Sequence, residues 1–177
     1  MIEMGKRLNQ QRRGKGSPTW KSPGHRFWGA IALGSYSNKR GVIVDLVRDA
    51  IHSAPLAVVR FEDDEEVLIP AFNGAYVGQI IEAGENAEVR PGNIVPLSKV
   101  PEGTRVYCIE LQPGDGGKLI RTAGGYGVVV AKEGEYVKVK LPSGAIKAIP
   151  AKCSAIVGMV AGAGITEKPF LKAGKKY

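Results

Sequence analysis

The chain has 177 residues, 44% of them hydrophobic, and a formal net charge of +8 with a sequence pI of about 9.5. That is enough apolar material for one sizeable core or two small ones, and it excludes global disorder. No apolar run approaches the ~18 residues of a membrane span, and the basic start MIEMGKRLNQQRRGKG lacks the apolar centre of a secretory signal, so neither a membrane partner nor secretion is expected.

The two cysteines, Cys108 and Cys153, lie far apart with no CxxC, a pattern of buried, reduced thiols in a cytoplasmic protein rather than of a disulfide or zinc site. The charge is unevenly spread. Met1 to Trp28 carry seven Lys/Arg and one acid (+6), Gly29 to Glu110 seven and twelve (−5), and Leu111 to Tyr177 eleven and four (+7). A polyanionic partner would meet the two ends of the chain.

In chain order, the first 28 residues read as an extended arm without helical or strand period. Its cations Lys6, Arg7, Arg12, Arg13, Lys15, Lys21 and Arg26 are interleaved with Trp20, Phe27 and Trp28. That mixture suits a segment ordering on RNA, with cations on phosphates and aromatics stacking on bases. Strands follow at Arg40–Val47, Leu56–Phe61 and Val67–Ile69, the last two joined by the acidic turn Glu62–Glu66. Further strands are expected around Gln79–Glu82 and Asn93–Pro96. Five short strands in about 60 residues suggest a small closed barrel of OB-like type.

The stretch 91–104, with three prolines and two glycines, reads as the internal boundary. Beyond it RVYCIEL, YGVVVAK, EYVKVKL, AIKAIP and AIVGMV continue the β pattern as an SH3-like barrel. Alternation in EYVKVKL puts Lys138 and Lys140 on one face, the turn Pro142-Ser143-Gly144 supplies a positive-φ glycine, and Lys147 lies on the returning strand. The expected class is therefore all-β: a basic arm over 1–33, an OB-like barrel over 34–90, an SH3-like barrel over 91–165, and the start of a basic extension over 166–177. Lys152, Lys168, Lys172, Lys175 and Lys176 add to the basic C-terminal part.

Catalysis is hard to build from these residues. Neither His25 nor His52 has a second histidine or a cysteine at metal-ligand spacing, and GxSxG, HExxH and DxDxDG are absent. The run EDDEE reads as a solvated hairpin turn. The stretch QPGDGGKLIRTAGGYGVVV, from Gln112 to Val130, invites a phosphate reading. A Walker loop would need glycine at 112 and a hydroxyl after Lys118, where Gln112 and Leu119 stand, and GxGxxG would need glycine at 119. A nucleic-acid backbone is the phosphate that remains. Gly114, Gly116 and Gly117 would offer backbone N–H groups, Lys118 and Arg121 charge, and the glycines around Tyr126 room for close packing or a stacked aromatic. The other reading of the same glycines is that they only serve tight turns and bulges in a twisted barrel. The alternative is a protein-interaction module that uses the acidic middle. A free-standing single-strand binder is disfavoured by the few aromatics, 7%.

GKRLNQQRRGKGSPTW with SPGHR, SAPLAVVRFEDDEE, RPGNIVPLSKVPEGT, the glycine stretch, KVKLPSGAIKAIPAKCSAIVGMVAG and TEKPFLKAGKKY occur in this order. Together they resemble the universal large-subunit ribosomal protein L-two family, in its archaeal and eukaryotic branch. The resemblance implies an OB-like barrel followed by an SH3-like barrel, flanked by basic extensions threaded into large-subunit rRNA. It implies a non-enzymatic primary rRNA-binding protein, cytoplasmic and ribosomal, that supports assembly, subunit association and the architecture around the peptidyl-transferase region. Its partners would be rRNA and neighbouring ribosomal proteins, with no small-molecule substrate and no cofactor, Mg2+ entering only through the RNA. Members normally continue past KAGKKY into a basic extension rich in Pro, Gly and His, so the resemblance implies C-terminal truncation at Tyr177. GGYG stands where relatives commonly have Gly-Thr-Tyr.

Overall fold

The computed structural model describes residues 8–12, 15, 18, 20–21, 24, 27–33 and 38–175. Over these residues the protein is all-β. Ten strands are β1 (Lys39–Val47), β2 (Leu56–Phe61), β3 (Glu66–Pro70), β4 (Ile80–Ala83), β5 (Ile94–Pro96), β6 (Arg105–Tyr107), β7 (Gly127–Glu133), β8 (Tyr136–Lys140), β9 (Ile146–Pro150) and β10 (Ser154–Val157). They form one sheet in the order β3-β2-β1-β4-β5-β10-β6-β7-β8-β9. Among the described residues helix is limited to α1 (Asn9–Arg12), α2 (Gly164–Glu167) and a 3-10 turn at Ala173–Lys175, none of it long and apolar enough to cross a membrane.

Two cores lie along this sheet. The first gathers Leu33, Ile43, Leu56, Ile69, Phe72 and Ile81; the second gathers Leu97, Val106, Val129, Val137, Val139 and Ile149. Each such side chain contributes roughly 1.5–3 kcal/mol by leaving water. Ile94, Tyr107 and Ile156 face the first core, while Val95, Val106, Ala155 and Val157, their neighbours in sequence, face the second. Successive side chains on a strand point to opposite sides, so β5, β6 and β10 form a wall shared by both cores. The Pro- and Gly-rich stretch 91–104 that reads as a boundary thus contains a strand of that wall. β5 pairs with β10 over Ser154↔Pro96 to Ile156↔Ile94, and with β4 in parallel at Ala83↔Ile94. After β10 the chain crosses to the first barrel, where Ala161 N–H donates to Ala71 O at 2.8 Å.

The last part of the arm belongs to the first barrel. Ile31 and Leu33 are buried in its core, and Ala32 N–H donates to Leu68 O at 3.1 Å. Phe27 stacks on His52 with ring centroids 5.8 Å apart, and Trp28 N–H donates to Asp49 Oδ2 at 3.2 Å. Two hydrophobic residues separated by one exposed alanine are a three-residue strand-like pattern too short to stand out in the sequence.

Candidate nucleic-acid interface

Whether each cation is already neutralised decides which surface can meet a polyanion. On the first barrel Lys39 pairs with Asp63 and, at 3.4 Å, with Glu65; Arg40 pairs with Glu82 at 3.2 Å, Arg60 with Glu66 at 2.6 Å and Arg90 with Glu88 at 2.6 Å. A cleft of about 620 Å³ there is lined by Arg40, Arg90, Tyr76, Glu82 and Glu88, both of its arginines paired. The pairing raises the Lys39 ammonium and lowers the Asp63 carboxyl, in each case chiefly through the hydrogen bond between them. The EDDEE run is the exposed hairpin turn expected from the sequence, partly neutralised by its own barrel.

The second barrel differs. Lys118, Arg121, Lys140, Lys147 and Lys152 carry no ion pair among the described residues. Lys118, Lys140, Lys147 and Lys152 are exposed and Arg121 half-buried. Lys138 is the exception, donating to Glu133 Oε1 at 2.6 Å. Lys15, Lys21, Lys168 and Lys172 are exposed in the terminal segments, Arg12 ends α1 and Lys175 ends the 3-10 turn. Lys6, Arg7, Arg13, Arg26 and Lys176, like His25, lie outside the described residues.

Strand register assembles part of this set into a row. Arg105 on β6 pairs with Val128 on β7, which pairs with Lys140 on β8, which pairs with Ile146 on β9. Directly paired residues share a face, and strands lie about 4.8 Å apart, so the Arg105 and Lys140 backbones are about 10 Å apart on one outer surface. Lys138 shares this face, since Val137 and Val139 on either side of it are buried. Lys147 does not: it pairs with Val139, on the inward-facing side, at an exposed end of β9. The Arg105 guanidinium sits over the Tyr126 ring, 4.7 Å from its centroid, within cation–π range. Arg105 was not among the sequence candidates. Its role depends on a register with residues 128 and 140, which a lone arginine at the start of an apolar run does not reveal.

The glycine loop departs from its expected chemistry. Its N–H groups are already used inside the protein. Glu110, with no exposed surface, accepts from Gly114 N–H at 3.0 Å and Gly116 N–H at 3.2 Å on Oε1, and from Ser154 N–H at 2.9 Å on Oε2. Asp115 accepts from Leu111 N–H at 2.9 Å, Gln112 N–H at 3.3 Å and Gly117 N–H at 3.0 Å. Backbone N–H groups turned inward form an anion-binding concavity, and here the anions are the protein's own carboxylates. The phosphate cradle expected from Gly114, Gly116 and Gly117 is therefore corrected to a carboxylate-filled loop that holds Lys118 on its outer side.

Both limbs of the loop are held in unusual backbone. Cys108 (φ 48°) and Ile120 (φ 57°) are left-handed, and Cys108 N–H donates to Ile120 O at 2.9 Å. For a β-branched residue such as Ile120 this conformation is costly, and such strain gathers at functional sites. Burial pushes the Cys108 thiol up to about 12, Arg121 opposing and Glu110 adding to the shift, and burial pushes Cys153 up to about 11. Both are free, buried thiols. His52 is a structural histidine, its Nδ1 3.1 Å from Asp49 Oδ2. The Asp49 carboxyl is held below its ordinary value, first by Ile51 N–H. Among the described residues no three His, Cys, Asp or Glu side chains converge as a metal site would require.

The chain also has close relatives. Residues 90–177 match the family described as Ribosomal Proteins L2, C-terminal domain. Over 98% of its length the chain is 48% identical to the large ribosomal subunit protein uL2 of Methanothermobacter thermautotrophicus, and 49% identical to that of Methanococcus maripaludis strain C5, covering 75% of each. The corresponding protein of Methanopyrus kandleri is 46% identical over the same share of this chain, with 74% of its own length covered. Identity at this level, running through the arm and both barrels, is that of shared descent: the chain belongs to the uL2 family of large-subunit ribosomal proteins, on its archaeal side.

Proposed function

We propose that the protein is a structural constituent of the large ribosomal subunit that binds rRNA through its second barrel and basic terminal segments. The observation that carries this is the division of charge. The cations of the first barrel are largely matched by neighbouring acids, whereas Lys118, Arg121, Lys140, Lys147 and Lys152 are left for an external anion. Its setting is the cytoplasmic ribosome, and its role is non-catalytic: support of subunit assembly, subunit association and the architecture around the peptidyl-transferase region. The outer face of the first barrel, where exposed Val42 pairs with exposed Ile80 and Tyr76 and Val77 are also exposed, suits a neighbouring ribosomal protein better than a phosphate backbone. No cofactor is assigned; Mg2+ enters only through the RNA.

The test is a salt titration of binding to large-subunit rRNA. Each phosphate neutralised contributes about 0.7–0.9 to the slope of log K against log salt. Lys118→Ala combined with Arg121→Ala is expected to flatten that slope by about 1.4–1.8 and to weaken binding. An unchanged slope would remove these two residues from the interface. Crosslinking of the barrels to proteins and never to RNA would favour the interaction-module reading instead.

A further inference from the structure

A groove of about 330 Å³ opens between the end of the glycine loop and the β8–β9 turn, lined by Gly125, Tyr126, Val128, Lys140, Leu141 and Pro142 among others. We propose that this groove is a nucleotide subsite receiving one unstacked base of the bound RNA, with Tyr126 as the stacking surface and Lys140 on the adjoining phosphate. The proposal rests on the RNA-binding reading above and sharpens it to a single position.

Four observations converge. The groove has a volume at the lower end of the ~300–1,000 Å³ typical of small-ligand sites, which suits one base and excludes an intact helix. Tyr126 is partly exposed and lines it, and the Arg105 guanidinium 4.7 Å from the ring centroid holds the ring in place. A ring fixed in advance loses little freedom when a base stacks on it. Val128, Leu141 and Pro142 give the apolar contacts that a base face needs, and Lys140, exposed and without an ion pair, is the cation among the lining residues. No aspartate or glutamate lines the groove, whereas the first-barrel cleft contains Glu82 and Glu88. Bases within an A-form stack present no free face, so the occupant is an unpaired nucleotide from a loop, bulge or end.

The experiment uses the full chain bound to large-subunit rRNA. Zero-length ultraviolet crosslinking followed by trypsin is expected to give a nucleotide adduct on the fragment Thr122–Lys132, and to place it on an unpaired nucleotide. Stacking on one aromatic is worth a factor of about 5–150 in affinity. Tyr126→Ala is therefore expected to weaken binding by at least about fivefold while leaving the salt slope unchanged, and Tyr126→Phe to keep wild-type affinity. Lys140→Ala is expected to reduce the slope by about 0.7–0.9. Equal melting temperatures for the variants exclude misfolding as the cause. The proposal is overturned if Tyr126→Ala binds within twofold of wild type, if phenylalanine fails to replace tyrosine, or if Thr122–Lys132 crosslinks only to protein in the assembled subunit. A chain that binds no rRNA at all would instead remove the parent reading, and the subsite with it.

Discussion

Glu110 shows how one residue decides what a loop can do. The side chain has no exposure, yet it is met by N–H donors from Gly114, Gly116 and Ser154, so its desolvation is offset by hydrogen bonds to a charged acceptor. It ties the glycine loop to the shared wall, because Ser154 begins β10. Glu110→Gln keeps the shape but turns one acceptor into an N–H group facing an N–H donor. The expected cost is about 1–3 kcal/mol, or a fall of about 2–12 °C in melting temperature for a chain of this size. Calorimetry on the purified variant checks it. A melting temperature within 1 °C of wild type would mean the loop keeps its shape without this carboxylate.

At the scale of elements, the regular strands are legible in the sequence and the irregular joints are not. The β8–β9 hairpin forms where alternation and Pro142-Ser143-Gly144 place it, with Leu141 N–H to Ala145 O at 2.8 Å and Gly144 at φ 87°. β1, β2 and β3 begin and end within a residue of their apolar runs. By contrast RVYCIEL reads as one strand of seven, but β6 ends at Tyr107 because Cys108 turns left-handed, and no local signal marks a cysteine for that. The fate of the glycine N–H groups was equally hidden, since the closing contact joins residues 44 apart, Glu110 and Ser154. Glycine itself is readable as a need for freedom but not as a need for space, and the structure separates the two. A Cβ on Gly117 (φ 83°) would lie 2.7 Å from Cys108 O and Sγ, whereas one on Gly144 (φ 87°) would meet nothing within 4 Å. Both alanine variants incur the left-handed penalty of about 1–2 kcal/mol. Only Gly117→Ala adds a backbone clash, so urea melts are expected to show it as the more damaging by at least about 1 kcal/mol. Equal losses would place Cys108 further from the loop than the structure has it.

For the whole molecule, the consequence of the shared wall is that the two barrels are not two independent folding units. Removing either core would expose one face of β5, β6 and β10, strands whose residues alternate between Ile94 and Val95, Val106 and Tyr107, Ile156 and Val157. Tyr107 also donates its hydroxyl to Pro70 O at 3.0 Å, a buried bond from the wall to the end of β3. Such coupling predicts a single cooperative transition, and the cysteines provide the means to see it. Cys108 belongs to the first core and Cys153 to the second. Burial raises both thiols, to about 12 and about 11, so neither offers a reactive thiolate while the chain is folded. In Cys153→Ala only the first core reports by alkylation, and in Cys108→Ala only the second. Labelling at pH 8 across a urea series is expected to give midpoints that differ between the two variants by no more than their difference in stability by circular dichroism. If one thiol instead became reactive while circular dichroism still showed half the β signal, the barrels would unfold separately. The row of cations on the second barrel would then not depend on the first for its geometry. Coincident midpoints mean the opposite: the acidic barrel, most of whose cations are matched by its own acids, holds fixed the wall from which Arg105 and the glycine loop extend, and the proposed RNA contacts of the second barrel depend on it.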